Sequence, residues 1–211
     1  MARQAGQDQM QDRICAGTGR SLGALIDVNY GTFRGFVRLM LGELEFLLGR
    51  LEPFLQLRPA QVQRLVFVCL GNINRSAFGH GVAEGLGCRV ASIGLSTTTG
   101  APAFEKARST APRFGLSLED HRATDFTDYA YQPGDLLLVM EARHAHQLVQ
   151  RGIPAEAILL LGHWARPHRI HIHDPHLHTD AYFQTCFTII HSAVVNLVAE
   201  LRREGSPCVR R

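Results

Sequence analysis

The chain has 211 residues, and 45% of them are hydrophobic, which suffices for one medium-sized domain with a buried core and a smaller appendage. The formal net charge is only +3 and the basic residues are scattered, so the sequence does not support a nucleic-acid partner. The first residues are polar and lack the apolar core of a secretory signal, which predicts a cytoplasmic location. The five cysteines include no C-x-x-C pair, and we expect free thiols: Cys15, Cys69, Cys88, Cys186 and Cys208.

The N-terminal third divides into a tail and a helical extension. Residues 1–20 are polar and without periodicity, which predicts a mobile tail. Residues 21–60 form the extension, in which apolar side chains recur at steps of three and four from Phe33 to Leu51 and predict an amphipathic helix of about five turns. Charged residues interrupt it too often for a membrane span. Its apolar face must still be covered, by the following domain, by a second copy in a homodimer or by a membrane surface.

A strand-end loop carries the first chemical signal. Apolar residues lead into Cys69, Gly71 and Asn72 follow where a loop must turn, and Ser76 is a good residue to begin a helix. Backbone amides in such a loop and the positive end of the helix dipole form an anion site and favour the thiolate form of a cysteine inside it. Arg75 adds a planar pair of donors matched to two phosphoryl oxygens. A nucleophile and a phosphate site therefore coincide, whereas a merely structural buried cysteine would need neither the arginine nor the serine.

Short apolar segments alternate with helical ones from residue 61 onward. This pattern predicts an α/β domain over residues 61–205 with a mostly parallel sheet, followed by a tail at 206–211. The last helix should run from about Thr179 to Arg203. Ligands of such sheets bind at the carboxyl ends of strands, where Cys69 lies. The predicted strands are Leu65–Cys69, Arg89–Ile93, Leu136–Met140 and Ala157–Leu161.

A cysteine phosphatase also needs a group that protonates the leaving oxygen and later activates water. Asp174, followed by Pro175 in a turn between apolar residues, is the best candidate for both tasks. An Asp-Pro turn is common, so this assignment depends on the similarity described next.

The segment Val66–Ser76 resembles the signature of the low-molecular-weight protein tyrosine phosphatase family, Val-Cys-x-Gly-Asn-Ile-Cys-Arg-Ser-Pro. The similarity covers roughly residues 64 to 204 and includes Ser92-Ile93-Gly94, His121-Arg122-Ala123, Leu138-Val139-Met140 and Asp174-Pro175. It implies a four-stranded parallel sheet flanked by helices, to which this chain adds the N-terminal helical extension. It also implies hydrolysis of phosphotyrosine on proteins through a cysteinyl-phosphate intermediate, with a bacterial tyrosine kinase as an expected partner.

The resemblance assigns a role to each matching residue. Cys69 would be the nucleophile, Arg75 the phosphate clamp, and Asp174 the general acid and then base. No metal or organic cofactor is implied. The residues expected to bind phosphate or substrate, or to support the loop, are Leu70, Gly71, Asn72, Ile73, Asn74, Ser76 and His176.

The chain departs from the family pattern at several positions. Asn74 replaces the second loop cysteine, which in the family can trap an oxidised nucleophile as a disulfide. Ala77 replaces the usual proline, and His176 replaces an aromatic residue beside the substrate. Ile73 resembles the tyrosine-specific members, whereas threonine marks relatives specific for phosphoarginine. Several glycines predict a locally soft helix after the loop: Gly79, Gly81, Gly85 and Gly87.

Other functions stay open at this stage. The histidines around Asp174 could bind zinc or copper, although we expect solvated loop residues of which His173 or His176 tunes the acid or contacts substrate. An arsenate reductase on the same scaffold would need a downstream cysteine pair, and the cysteines are too scattered to suggest one. A non-catalytic phosphate-binding protein is the remaining alternative. The histidines concerned are His168, His171, His173, His176 and His178.

Overall fold

The fold is a parallel sheet with helices on both faces, as predicted. The computed structural model describes residues 22–209, so the predicted tail at residues 1–20, with Cys15, lies outside the described part of the chain. The four strands are ordered β2-β1-β3-β4 and all neighbouring pairs are parallel. They are β1 (Arg64–Cys69), β2 (Val90–Gly94), β3 (Asp135–Val139) and β4 (Ile158–Leu160).

Six α-helices flank or precede these strands in the described residues. They are α1 (Leu22–Tyr30), α2 (Phe33–Leu47), α3 (Arg75–Gly85), α4 (Glu105–Thr110), α5 (Ala142–Gln150) and α6 (Asp180–Arg203). Short 3-10 turns occur at Glu52–Phe54, Pro59–Gln61, Ala111–Phe114, Phe126–Asp128, Ala155–Ala157 and Leu161–Trp164.

The strands are apolar on both faces because each face is covered. In β1, Leu65 and Phe67 belong to the apolar cluster that includes α3 and α6, whereas Val66 and Val68 belong to the cluster on the opposite face. Cys69 is the last residue of β1 and pairs in register with Gly94, the last residue of β2. The sheet therefore presents Cys69 at its carboxyl edge.

Helix α3 lies very close to β1, and Gly79 permits this approach. A Cβ atom on Gly79 would lie 2.6 Å from Cδ1 of Phe67, which is closer than real Cβ atoms approach their neighbours. Packing therefore requires a glycine at position 79, although glycine has a low helix propensity.

The long helix of the extension ends earlier than predicted. It spans Phe33–Leu47 rather than continuing to Leu51, and the separate helix α1 precedes it. Gly49 follows with a φ of 70°, a left-handed conformation that ends helices. The chain then turns toward the domain, where Leu51 is 1% exposed. The apolar periodicity continued past the helix because Leu51 is buried by the turn that follows.

Helix α2 has one covered and one uncovered apolar face. Gly35 and Leu39 are buried against the domain, so packing on the domain accounts for the inner face. The outer face leaves large apolar side chains exposed: Phe33 65%, Val37 38%, Met40 45%, Leu41 56%, Leu44 52%, Leu47 78% and Leu48 58%.

The end of the chain does not behave as a simple tail. Ser206, Cys208 and Val209 are buried, and the Arg89 amide donates to the Cys208 carbonyl at 2.9 Å. Residues 206–209, which the sequence placed in a tail, therefore pack against the domain beside the start of β2, since Cys208 and Val209 gain burial there.

Helix α6 is the one described helix that is long and apolar enough to cross a bilayer by length and composition. Of its most apolar window, 56% is buried inside the fold. Phe183, Phe187, Ile190 and Val194 are completely buried in the main cluster, as expected of a core helix.

Candidate active site

The loop between β1 and α3 is held in shape by Asn72. This residue has a φ of 50°, a left-handed conformation that asparagine tolerates better than most residues. Its Nδ2 donates to Oγ of Ser76 at 2.8 Å, and its Oδ1 accepts from the Thr124 amide at 2.9 Å. Nε2 of His121 donates to its carbonyl at 2.7 Å. The loop is therefore tied both to its own helix and to the segment after residue 120.

The sulfur of Cys69 lies inside this loop. Sγ is 3.0 Å from Oγ of Ser76, and the Asn72 amide donates to it at 3.3 Å. Cys69 is 2% exposed, so both contacts are made where little water competes. The structure thus brings together the predicted nucleophile and the serine predicted to support it.

Arg75 is completely buried and anchored in three directions. Its Nη1 donates to Oε1 of Glu141 at 2.6 Å and to the Ile172 carbonyl at 2.8 Å, and its Nη2 donates to Oδ2 of Asp174 at 2.7 Å. Burial by itself would lower the pKa of Arg75, but the Asp174 and Glu141 carboxylates raise it above the ordinary value. The guanidinium is therefore a permanent charge in a fixed orientation.

Glu141 is a residue of this site that the sequence reasoning missed. It is 0% exposed, and besides Arg75 it contacts Nε of Arg143 at 2.8 Å through Oε2. Burial would raise the pKa of Glu141, but the charge of Arg75 outweighs it and the pKa is well below the usual range. A signal existed, because Glu141 follows Met140 directly after β3, at the same sheet edge as Cys69.

Asp174 is paired with Arg75, the residue that ends the loop after Cys69. Its Oδ2 pairs with Arg75, its Oδ1 accepts from the His176 amide at 3.1 Å, and its side chain is 30% exposed. Burial would raise the pKa of Asp174, but Arg75 lowers it below the ordinary value. In the described state, Asp174 is thus an ionised partner of the arginine.

The rim of the site is formed by residues from three segments. His176 is exposed, and its ring centroid lies 4.7 Å from that of Phe104. Phe104 is joined to the loop because its amide donates to the Ile73 carbonyl at 3.0 Å. Leu70 is 39% exposed. Phe104 was not identified from the sequence, since nothing near residue 104 marks it as a neighbour of Ile73.

Gly71 and Asn74 complete the loop. Asn74 precedes α3 and is 3% exposed, and its side chain makes no capping hydrogen bond to the helix. Oδ1 of Asn74 is buried without a hydrogen-bond partner. The position that carries a cysteine in the family signature is therefore an enclosed one.

The histidines near Asp174 are not the solvated residues that we expected. His168, His171, His173 and His178 are half-buried, and of the group only His176 is exposed. Burial lowers the pKa of His171 and of His173 to about 4, so both are neutral at neutral pH. Among residues 22–209, no group of three or more His, Cys, Asp or Glu side chains is arranged to hold a metal ion.

The combination of this sheet and this loop defines a protein class. The family model of the low molecular weight phosphotyrosine protein phosphatases matches residues 64–207. The chain belongs to this family and is a protein tyrosine phosphatase by class. The match begins at β1 and leaves α1 and α2 outside it.

Individual relatives agree with this assignment. A probable low molecular weight protein-tyrosine-phosphatase, AmsI of Erwinia amylovora, is 32% identical over 146 residues, which is 67% of this chain and 99% of the relative. The crystal structure of the Erwinia amylovora tyrosine phosphatase AmsI superposes with a TM-score of 0.60 at 28% identity and covers 69% of this chain and 97% of its own. The structure of the tyrosine phosphatase Wzb from Escherichia coli K30 in complex with sulphate superposes with a TM-score of 0.57 at 30% identity. It covers 66% of this chain and 99% of its own.

Proposed function

We propose that this enzyme hydrolyses phosphotyrosine on proteins through a cysteinyl-phosphate intermediate. One observation carries the proposal: Sγ of Cys69 lies 3.0 Å from Oγ of Ser76, in a loop that ends in the fixed guanidinium of Arg75. The names of the relatives, which are tyrosine phosphatases, support the substrate class.

In the proposed first step, Sγ of Cys69 attacks phosphorus and the bond between phosphorus and the tyrosine oxygen breaks. Asp174 gives its proton to the leaving phenolate. Arg75 and the loop amides from Leu70 to Asn74 bind the phosphoryl oxygens, and a sulphate-bound relative supports an oxyanion site of this kind.

Asp174 must be protonated for this step, although it is ionised in the described state. A bound phosphate dianion competes with Asp174 for Nη2 of Arg75 and brings negative charge beside the carboxylate. Both effects raise the pKa of Asp174, because the cation that lowers it is then shared with phosphate. Substrate binding thereby favours the protonated acid that the reaction requires.

In the proposed second step, water attacks phosphorus and the sulfur–phosphorus bond breaks. Asp174, now a carboxylate, takes a proton from the water. Ser76 and the Asn72 amide donate to the departing thiolate, and inorganic phosphate is released. Ile73, Phe104 and His176 form the wall against which the phenol ring packs.

The test compares wild type with Cys69→Ser on p-nitrophenyl phosphate, with Cys88→Ser as a matched control at a buried cysteine outside the loop. We expect turnover by wild type and by the control, and none by Cys69→Ser. If wild type does not hydrolyse p-nitrophenyl phosphate, the proposal is wrong. A panel of phosphotyrosine, phosphoserine and phosphoarginine peptides then tests the substrate class, and we expect hydrolysis of the first only.

The positions of the cysteines do not favour an arsenate reductase. Cys88 forms a β-bridge with Val209 and the Arg89 amide donates to the Cys208 carbonyl, so Cys88 and Cys208 do lie close together. However, they lie beside the start of β2, whereas Cys69 ends β1, so the two groups are at opposite ends of parallel strands. A pair in that position does not relay a disulfide to Cys69. We propose that the substrate is a phosphotyrosine-containing protein, such as a bacterial tyrosine kinase. We also propose that the enzyme acts in the cytoplasm.

We also propose that the outer face of α2 joins two copies of the chain. Its exposed apolar side chains form a continuous stripe, with Arg34 and Arg38 in the first half of the helix and Glu45 in the second. Antiparallel pairing about a twofold axis would bring unlike charges together. Light scattering should give a dimer for the full chain and a monomer for Leu44→Glu, while a wild-type monomer would rule the dimer out.

A further inference from the structure

The N-terminal extension lies directly against the segment that leads into Asp174. We call residues 165–179 the acid loop. Oε1 of Glu43, on α2, accepts from the Ile170 amide at 3.3 Å and lies 3.4 Å from Nδ1 of His168. One carboxylate thus holds two points of the loop, four and six residues before Asp174.

Helix α1 provides a second, independent attachment. Nη1 of Arg169 donates to the Asn29 carbonyl at 3.0 Å, and its guanidinium lies 4.6 Å from the centroid of the Tyr30 ring. The carbonyl belongs to the last turn of α1, which has carbonyl groups free for such a donor. Both helices of the extension therefore bind the same short stretch of the loop.

The approach of α2 to the acid loop is close along the helix. A Cβ atom on Gly35 would lie 2.8 Å from Cδ2 of His173, and one on Gly42 would lie 3.1 Å from Cγ2 of Ile170. Leu39, between these glycines, shares an apolar cluster with Ile170, which is 1% exposed. Gly35 and Gly42 therefore let α2 approach the acid loop closely, and Leu39 packs between them.

The opposite side of the same stretch faces the catalytic centre. The Ile172 carbonyl accepts from Arg75, and the Ile172 amide donates to the Met140 carbonyl at 2.9 Å. Tyr182 donates its hydroxyl to the His173 carbonyl at 3.2 Å. Residues 170–173 are therefore enclosed between the extension and the residues around Cys69.

We propose that the extension holds the acid loop from behind and so positions Asp174, with Glu43 as its main positioning residue. This inference rests on the proposed role of Asp174 as the general acid. A loop without secondary structure is costly to order, and a small displacement of an acid reduces proton transfer steeply. The family model begins at residue 64, so this support belongs to the part of the chain outside the family match.

The test uses full-length variants and two substrates that differ in their need for an acid. Phenyl phosphate has a poor leaving group that requires protonation, whereas p-nitrophenyl phosphate has a good one. We expect Glu43→Ala to lower kcat/KM for phenyl phosphate by about threefold to tenfold, the range that one hydrogen bond gives, and to change that for p-nitrophenyl phosphate much less. Glu43→Gln keeps an acceptor for the Ile170 amide and should restore most of the loss.

The matched control is Glu52→Ala, which removes an exposed carboxylate from the same N-terminal extension, outside α2 and away from the acid loop, and both substrates should be hydrolysed as by wild type. In an Asp174→Asn background, Glu43→Ala should have no further effect, because both changes act through one group. If Glu43→Ala does not fold, Arg169→Gln supplies a second test, because it removes the contact with α1. We expect it too to lower kcat/KM for phenyl phosphate more than for p-nitrophenyl phosphate.

The outcomes separate this inference from the proposed function. If Asp174→Asn fails to lower kcat/KM for phenyl phosphate, the role of Asp174 as acid is wrong. If Asp174→Asn does lower it and the Glu43 and Arg169 variants affect both substrates equally, or add to Asp174→Asn, the positioning role alone is overturned.

Discussion

Nη1 of Arg75 and Oε1 of Glu141 lie 2.6 Å apart, and both side chains are completely buried. Each is the completely buried partner of the other, since the remaining partners, Asp174 for Arg75 and Arg143 for Glu141, are partly exposed, and a poorly paired ion in the interior costs several kcal/mol. The pair also leaves Nη2 of Arg75 free to face Asp174 and, in the proposed reaction, phosphate. Glu141 thus determines which edge of the guanidinium is presented to the substrate.

Removing Glu141 should therefore destabilise the protein. We expect Glu141→Ala to lower the free energy of unfolding by about 3 to 5 kcal/mol, because Arg75 is left buried without its nearest counter-charge. Urea unfolding at neutral pH measures this. The exposed Glu156→Ala serves as the control and should change the stability by less than about 0.5 kcal/mol. Equal stability of the two variants would show that Arg75 finds another partner.

Three buried or half-buried histidines predict that stability falls on acidification. Burial lowers the pKa of His144 to about 3 and those of His171 and His173 to about 4, from an ordinary value of 6.5. Below pH 6.5 the unfolded chain therefore binds protons that the folded protein does not bind. Stability from this source is complete above pH 6.5 and is lost as the pH falls toward 4.

Urea midpoints between pH 7.5 and 4.5 check this dependence. We expect the midpoint of wild type to fall steadily as the pH is lowered. The midpoint of His171→Gln should fall less steeply, because this variant lacks a titrating ring at position 171. Midpoints that stay constant across the range would contradict the assignment of these histidines as neutral in the folded protein.

Two glycines of α3 should respond in opposite directions to the same substitution. Gly79→Ala places a methyl group 2.6 Å from the Phe67 ring and should destabilise the protein by about 1 to 3 kcal/mol. Gly85→Ala meets nothing within 4 Å and should stabilise it by up to about 1 kcal/mol through helix propensity. Thermal or urea unfolding compares the two, and a second substitution, Phe67→Leu, should recover part of the Gly79→Ala loss. A neutral Gly79→Ala would mean that α3 can shift away from β1.

Oxidation of Cys69 should be poorly reversible because Asn74 occupies the place of the family's second loop cysteine. Peroxide converts the thiolate to a sulfenic acid, and without a thiol in the loop a second peroxide carries it to the irreversible sulfinic acid. Activity measured after mild peroxide and then dithiol treatment should stay low in wild type. In Asn74→Cys, condensation of the sulfenic acid with the new thiol releases water and forms a reducible disulfide, so activity should return. Full recovery of wild type would refute the prediction.

The residues that could be identified from spacing alone are those whose relationship is local, whereas Asp174, 99 positions from Arg75, was identified through the family resemblance. Cys69, Arg75 and Ser76 fall within eight consecutive positions, so a strand end, a tight loop and a helix start suffice to bring them together. The strands were recognisable for a similar reason, because a parallel strand covered on both faces is apolar at nearly every position. These features depend on the order of neighbouring residues and on little else.

Glu141, Phe104 and Glu43 could not be identified in this way. Glu141 is separated from Arg75 by 66 positions, and Phe104 reaches the rim only because its amide bonds Ile73. The periodicity of α2 showed that the helix has an apolar face but not which neighbour covers it. The sequence by itself determined the sheet, the phosphate loop and the class of chemistry, because local propensity and hydrophobic burial specify them. Only the tertiary structure decided which carboxylate balances Arg75 and what stands behind Asp174, because such contacts between distant segments arise when the separate elements pack together.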